Sequence, residues 1–491
     1  MKKLTAVLGT GLTALAGSSV IRAWNYKPIP MEKADIEDYP VDVDRVLKHL
    51  AGAIQCKTIS TEDDVTTDRS EFDKFHDFLD DAFPLIAKNC EKEIAGKASL
   101  IYRWPGKDPA LEPMAFLSHQ DVVPVAEGTE QDWDYDPWEG HCDGTHLYGR
   151  GALDMKNHLI CVMEAVESLM EQGFQPDRDV YLLFGHNEEM ISATCNGAQE
   201  IADTLKARGI RLDSTLDEGG AVLKVQVPLV IDTRLSAIGI GEKGQVNMKV
   251  TLNTKGGHSS VAPFHSGMND LADTIKDLEK HQFESRWLPF MSELVDRVAR
   301  YGSLPVRAIL VNFPVLRPLV QFVMTKIPEA ASLVRTVYSV TMAEGSMQPN
   351  VLPQRPSITV NFRPLKGDSI DDCERHVREI IRYPDFELER WNEKEATELC
   401  STSSRAYKAI EKVQAGMYSG HVAVVPYLVM GGTDSWHYAD ICDNCLRYAP
   451  FNVSPALLKT THGTNERIPV DCIQDAVIFF REYCKLVSAR D

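Results

Sequence analysis

The sequence predicts an α/β fold: a larger domain with a mostly parallel central sheet, interrupted by a smaller α+β domain. Two observations predict it. Strand-like apolar runs alternate with helical stretches up to residue 236 and again over 396–491, the order that builds a layered domain on a parallel sheet. Between them, residues 237–395 carry strands that alternate apolar and polar positions, as half-exposed antiparallel strands do. At 491 residues the chain exceeds one small core, which agrees with more than one domain.

The elements follow in order. Residues 44–56 and 70–88 space their apolar side chains as helices do. The runs ASLIYRW (98–104) and PMAFLSH (113–119) read as strands, and NHLICVMEAVESLMEQG (157–173) as an amphipathic helix stopped by Gly173. DVYLLFGHNEE (179–189) is a strand running into a polar turn. After SAIGIGEKGQVNMKVTLNTKGG (236–257) come a helix near 266–280, the strand SITVNFRP (357–364) and the helix SIDDCERHVREIIRY (369–383). Within this inserted unit, residues 284–342 are strongly apolar, but Arg307, Arg317, Pro314 and Pro318 argue against a membrane-spanning helix there. Two readings stand for this stretch: a buried helical insertion, or an apolar wall for an acyl chain or a membrane surface.

The formal net charge of −19 excludes nucleic acid as an expected partner, because a phosphate backbone requires a basic face. Eleven cysteines are scattered without a regular framework. Cys442 and Cys445 form one CxxC with no second pair to complete a four-sulfur zinc site, so they read as ordinary thiols or a local disulfide. Lys2 and Lys3 precede a stretch without charge from Leu4 to Ile21. That order suits a secretory signal or a short membrane anchor, and residues 1–30 are set aside as such, implying a secreted or membrane-anchored protein. The competing reading is a loosely packed leader.

The chemistry concentrates at strand ends. His119 closes an apolar strand, and Asp121 lies two places on, where side chains share a face. A carboxylate there can hold one ring nitrogen and leave the other for a metal. Asp154 sits in the Gly-rich turn of LYGRGALDMK before a helix, Glu188 and Glu189 follow a strand, and Asp217 and Glu218 end another before Gly219 and Gly220. His462 comes late, in THGTNERIP. Each acid alone reads equally well as a turn or helix cap. Four such clusters with two histidines at the carboxyl ends of strands point instead to a ligand site. Adjacent glutamates have a use there: one binds metal while its neighbour takes a proton from an activated water.

These motifs resemble the di-zinc metallopeptidase family of aminoacylase, carboxypeptidase S and succinyl-diaminopimelate desuccinylase. SHQDVVPV, WEGHCDGTHLYGRGALDMK, NEE, GGHSS, QPNVLPQRPSITVNFRP, GGTDSWHY and HGTNERI stand in the family's order from about residue 45 onward. The apolar insertion is most similar to the carboxypeptidase S branch, which includes N-fatty-acyl-amino-acid synthase/hydrolase. The resemblance implies a zinc-peptidase-like catalytic domain, 31–236 and 396–491, interrupted by a dimerisation-type lid, 237–395. It implies two Zn2+ ions. His119, Asp154 and Asp217 would hold the first, and Asp154, Glu189 and His462 the second. Asp121 would orient His119 and Glu188 would be the general base. It also implies a cis peptide at Asp154–Met155. His258 of the lid, sometimes supplied by a partner subunit, would steady the oxyanion. Asn350 and Arg363 would hold the substrate's carboxylate, and Gly432 and Thr433 would line the pocket.

The function so implied is hydrolysis of an amide next to a free carboxylate, with an N-acyl amino acid as the small-molecule substrate. The alternative of the same chemistry is a carboxypeptidase or dipeptidase acting on short peptides. From other classes come a non-catalytic binding protein on the same fold and a membrane-attached scaffold. A homodimer through the lid and lipid contact through the N-terminus and the insertion are further expectations.

Overall fold

Residues 19–63, 66–190 and 195–490 are described by the computed structural model of the chain. Eight strands precede the crossing into the lid: Glu91–Ala95 (β1), Ser99–Trp104 (β2), Met114–His119 (β3), His146–Tyr148 (β4), Val180–Gly185 (β5), Ser214–Asp217 (β6), Ala221–Val227 (β7) and Ile231–Glu242 (β8). The lid contributes Gln245–Leu252 (β9), Gly257–His258 (β10), Val337–Glu344 (β11), Val351–Leu352 (β12), Ser357–Arg363 (β13) and Phe386–Lys394 (β14). Val422–Val429 (β15), Cys445–Arg447 (β16) and Arg467–Pro469 (β17) complete the set. The central sheet runs β1-β2-β5-β3-β6-β16-β8-β15, with β7 beside β8. Its middle, β5-β3-β6-β16, is parallel, and antiparallel pairings flank it. β3 and β5 are buried at every position, because both faces are covered.

The helices around the two sheets include Val43–Ile54 (α1), Lys156–Glu171 (α2), Gly267–Lys280 (α3), Pro289–Ala299 (α4), Leu304–Leu310 (α5), Phe313–Met324 (α6), Pro328–Val334 (α7), Ile370–Ile380 (α8), Arg405–Met417 (α9) and Ile473–Ser488 (α10). Several start where the sequence offers a capping side chain: Asp42 accepts from the Arg45 amide, and Ser369 forms a capping box with Asp372. The helix α2, expected to be amphipathic, is buried from Lys156 to Leu169. It is enclosed by α1, α10 and β3. Its acids are satisfied inside: Glu164 meets Arg45 at 2.8 Å and His49 at 2.6 Å, and Glu167 accepts the amides of Leu85 and Ile86.

The lid has its own antiparallel sheet, β11-β13-β9-β14, and its own core, in which Val246, Met248, Val250, Val360 and Phe362 pack with Leu271 of α3 and Val377 of α8. Three expected boundaries are corrected. The lid was expected to begin at residue 237, but 237–242 are the second half of β8, which pairs parallel with β15 in the central sheet, so the crossing falls at Lys243 and Gly244. The insertion 284–342 also leaves the lid in space. Its helix α4 packs on β15, where Arg297 Nη1 donates to the Val424 carbonyl at 2.9 Å and Tyr301 Oη to that of Val422 at 2.6 Å. Only β11, at its end, returns to the lid sheet. Finally, the segment set aside as a leader is partly folded. Residues 1–18 lie outside the described residues, but Ala23 is buried and Tyr26 Oη donates to Asp296 Oδ1 at 2.6 Å.

No disulfide joins the cysteines among the described residues. Cys445 Sγ donates to the Cys442 carbonyl at 3.5 Å and Cys400 Sγ to that of Cys445 at 3.0 Å, so the CxxC is a pair of buried thiols.

Candidate metal centre

The parallel register brings three strand ends together. His119 pairs with Gly185 at the ends of β3 and β5, and β6, ending at Asp217, lies on the other side of β3. Beyond these ends the chain places His119, Glu188 and Glu218 in one group, and His119, Asp154 and Glu189 in another. The centre of the arrangement is Asp154. One carboxylate oxygen lies 3.2 Å from His119 Nε2 and the other 3.1 Å from His462 Nε2. His462 Nε2 is also 3.1 Å from Glu189 Oε1. Glu218 Oε1 stands 3.5 Å and Glu188 Oε2 3.9 Å from His119 Nε2.

The loops that carry these groups are tied to one another. β17 pairs with β4, so the turn after His462 runs beside the turn before Asp154. Glu466, fully buried, accepts from the amides of Gly151, Leu153 and Asp154 at 3.1, 2.8 and 3.0 Å. Its other oxygen meets Arg150 Nη1 at 2.5 Å, and Arg150 Nη2 donates to the His462 carbonyl at 3.3 Å. The Asp154–Met155 peptide is cis.

Two expected roles change. Asp217 forms no ion pair with either histidine among the described residues, whereas Glu218 stands beside His119. As the last residue of β6, Asp217 is buried and its Oδ1 accepts the Glu218 amide at 2.9 Å. Glu218 is the first residue past the strand, and Gly219 and Gly220, at φ 84° and 85°, turn the chain away behind it. A side chain at Gly220 would meet the Ala237 carbonyl oxygen at 2.4 Å. Asp121 was expected to hold His119 by its carboxylate. His119 Nδ1 instead donates to the Asp121 backbone carbonyl at 2.9 Å, with the carboxylate 3.4 Å away. The carboxylate accepts the amides of Glu188 and Glu189, both at 3.1 Å, and so fixes the turn that bears them.

The electrostatics call for positive charge. Burial pushes Glu188 well above the usual carboxylate range, opposed by the His119 charge and reinforced by those of Glu218 and Glu189. Burial and then the Asp154 charge lift Glu218 to about 8. Hydrogen bonds to Asp154 and Glu189 raise His462 to about 10. Burial acts to lower His119, yet the nearby carboxylates of Asp121, Asp154 and Glu218 carry it well above its ordinary value. Both imidazoles are thus drawn toward their cationic forms by the acids around them, the condition in which a divalent cation replaces protons. The donors fit zinc: imidazole nitrogens and carboxylate oxygens, with the His119 Nδ1–H on a carbonyl so that Nε2 faces the acids.

The remaining expected residues lie outside this cluster. His258, in β10, and Asn350, beside β12, share the exposed tip of the lid, where the Ser259 amide donates to the Asn350 carbonyl. Arg363 ends β13, half-buried, with Nη1 on Gln245 Oε1 at 2.6 Å. Gly432 is exposed, but Thr433 is turned inward: its hydroxyl donates to Glu242 Oε1 at 2.8 Å instead of lining an open pocket. Sequence reasoning did not single out Glu242, which is buried with Arg447 Nε at 2.6 Å and Lys394 against it. It also passed over Glu466, although Arg150 and Glu466 sit inside two of the motifs and carry opposite charge. Asp434 was missed as well. It is buried among the acids, with Oδ2 lacking a hydrogen-bond partner among the described residues, and a side chain at Gly185 would touch that oxygen.

Residues 115–486 match the family described as Peptidase family M20/M25/M40. Among curated proteins, the chain is 32% identical over 442 residues to probable carboxypeptidase S-like 2 of Dictyostelium discoideum, covering 89% of this chain and 84% of that protein. It is 28% identical to N-fatty-acyl-amino acid synthase/hydrolase PM20D1 of Mus musculus, covering 88% and 86%. Among solved structures, an M20 family metallo-carboxypeptidase, Sso-CP2 from Sulfolobus solfataricus, superposes with a TM-score of 0.65 at 17% identity, covering 90% of this chain and 99% of that one. Human carnosine dipeptidase 1 superposes with a TM-score of 0.62 at 14% identity, covering 91% and 99%.

Proposed function

The chain belongs to peptidase family M20/M25/M40, whose members here are metallohydrolases of amide bonds, and on that premise we propose that it cleaves N-acyl amino acids at the amide beside the free carboxylate. The observation that carries the metal-dependent amide chemistry is Asp154, with one oxygen on each histidine at 3.2 and 3.1 Å. Two zinc ions would be held by His119, Asp154 and Glu218, and by Asp154, Glu189 and His462. Bound there, they would polarise the amide carbonyl and make a water more acidic.

The chain's own groups do the rest. Glu188, lifted by burial, takes a proton from the water. The water oxygen adds to the carbonyl carbon, the C–N bond breaks, and Glu188 returns the proton to the leaving amine. Asp121 keeps Glu188 in position through the two backbone amides it accepts. Arg363 and Asn350 pair with the substrate carboxylate, for which a planar guanidinium suits both oxygens. His258 steadies the developing oxyanion; its exposed place on the lid calls for lid closure or for a second subunit, as in a homodimer through the lid. The same groups run the reverse condensation when amine and acyl acid are supplied.

The synthase/hydrolase relatives favour a fatty acyl chain, and the carboxypeptidase S-like relative favours a second reading, release of a C-terminal amino acid from short peptides. The zinc-loaded protein should be offered N-acetyl, N-oleoyl and dipeptide substrates of one amino acid. The N-acyl reading expects kcat/KM highest for the oleoyl conjugate. Equal or faster turnover of dipeptides would transfer the proposal to the carboxypeptidase.

A further inference from the structure

The outer face of the insertion is apolar and uncovered. In α6, Val315, Leu319, Phe322 and Val323 follow one helical face and are 81%, 60%, 59% and 47% exposed. Ile309 on α5 and Ile327 after α6 are also exposed, at 59% and 48%. α5 and α6 are bent against each other by 95°, so the pair forms an elbow, and no single helix among the described residues is long and apolar enough to cross a membrane. Exposed apolar side chains gathered on one helical face mark an interaction surface.

Two observations identify it. First, the described part of the N-terminal segment sits on this elbow. Asn312, between α5 and α6, donates to Ser19 Oγ at 2.9 Å and accepts from Arg22. Ile21 and Trp24, on the same helical turn, are exposed. Residues 4–21 are uncharged, so the chain leads from this patch directly into its most apolar N-terminal stretch. Second, the charge is right for an anionic surface. The chain has 71 acidic residues, yet none falls in 1–31 or in 297–328, which together hold Lys2, Lys3, Arg22, Lys27, Arg297, Arg300, Arg307, Arg317 and Lys326. Arg297 and Arg300 are used internally by Glu411 and Asp296, while Arg317 and Lys326 are exposed beside the apolar stripe.

We propose that this face, formed by α5, α6 and residues 19–25, docks in the interface of an anionic phospholipid bilayer. The apolar stripe enters the headgroup–acyl boundary and the flanking cations meet lipid phosphates, as in-plane amphipathic helices do. The inference is independent of the substrate reading above.

The test is flotation of the full chain with vesicles of phosphatidylcholine alone or with about a third phosphatidylglycerol. The parent should float with the anionic vesicles and less with the neutral ones. Leu319→Glu/Phe322→Glu should bind about tenfold more weakly, with unchanged Tm and an unchanged circular dichroism spectrum. A second measurement does not depend on that variant folding: brominated phosphatidylcholine in the anionic vesicles should quench the parent more than Trp24→Phe. Flotation of the double variant equal to the parent's would overturn the proposal, since the N-terminal stretch would then suffice. So would equal quenching of parent and Trp24→Phe. A parent dimer in vesicle-free solution that the double variant splits would also overturn it, assigning the face to a second copy.

Discussion

Replacing Glu466 by alanine tests how the centre is held together. The carboxylate has no exposed surface, and its partner Arg150 is 2% exposed. Its removal leaves a buried guanidinium without its acid and frees the amides of Gly151, Leu153 and Asp154 at once. Breaking a buried pair by removing one partner costs about 3–5 kcal/mol. The three amides lie in the turn that aims Asp154, and Arg150 also holds the His462 carbonyl. The change should therefore loosen both sides of the proposed metal pair, and losing such supporting hydrogen bonds lowers metal affinity about 10–100-fold. Two assays read these effects: urea unfolding of the metal-free protein, and zinc competition against a chelating dye. Glu466→Gln keeps an acceptor for the three amides but turns an NH2 toward Arg150, so it should fall between parent and alanine in both. An alanine variant that unfolds within about 0.5 kcal/mol of the parent and binds zinc equally tightly would refute the reasoning.

Glu218→Gln should reduce bound zinc from two ions toward one, measured by atomic absorption after dialysis, while Asp217→Asn should keep both; the opposite ranking would restore Asp217 as the ligand. Glu188→Gln should lower kcat by about 10²–10⁴-fold with zinc content unchanged, and a variant as fast as the parent would remove Glu188 from the proton transfers. Acid stability should carry the signature of Glu242. Burial acts to raise its pKa, but the charges of Arg447 and Lys394 bring it down to about 2 from an ordinary 4.5. A lowered carboxylate pKa stabilises the fold above pH 4.5, and that contribution is lost as pH falls through about 2. The stability of Glu242→Gln, followed by circular dichroism, should thus depend less steeply on pH between these values; parallel curves for variant and parent would contradict it.

Some of the site is legible because its residues sit at marked positions. His119 ends an apolar run, Asp154 lies in a Gly-rich turn before α2, and Glu188 and Glu189 follow β5. Such places point outward from strand ends in any parallel sheet. Asp217 and Glu218 could not be separated in the same way. Successive residues of a strand point to opposite faces, so the choice turned on where β6 stops, and one residue decides it. The alternation in SAIGIGEKGQ suggested a half-exposed strand of the lid. In the fold β8 gains cover from the distant strand β15 and belongs to the central sheet. The pairing of Glu466 and Glu242 with partners 316 and 205 residues away is not written in any local periodicity.

By itself the sequence determined the fold class and the inventory of imidazoles and carboxylates, since periodicity and residue type are written residue by residue. Only the tertiary structure decided which acid of a pair meets His119, where the crossing to the lid falls, and which face of the insertion stays bare. Each of those depends on whether a surface is covered, and the covering groups come from parts of the chain that no local pattern connects.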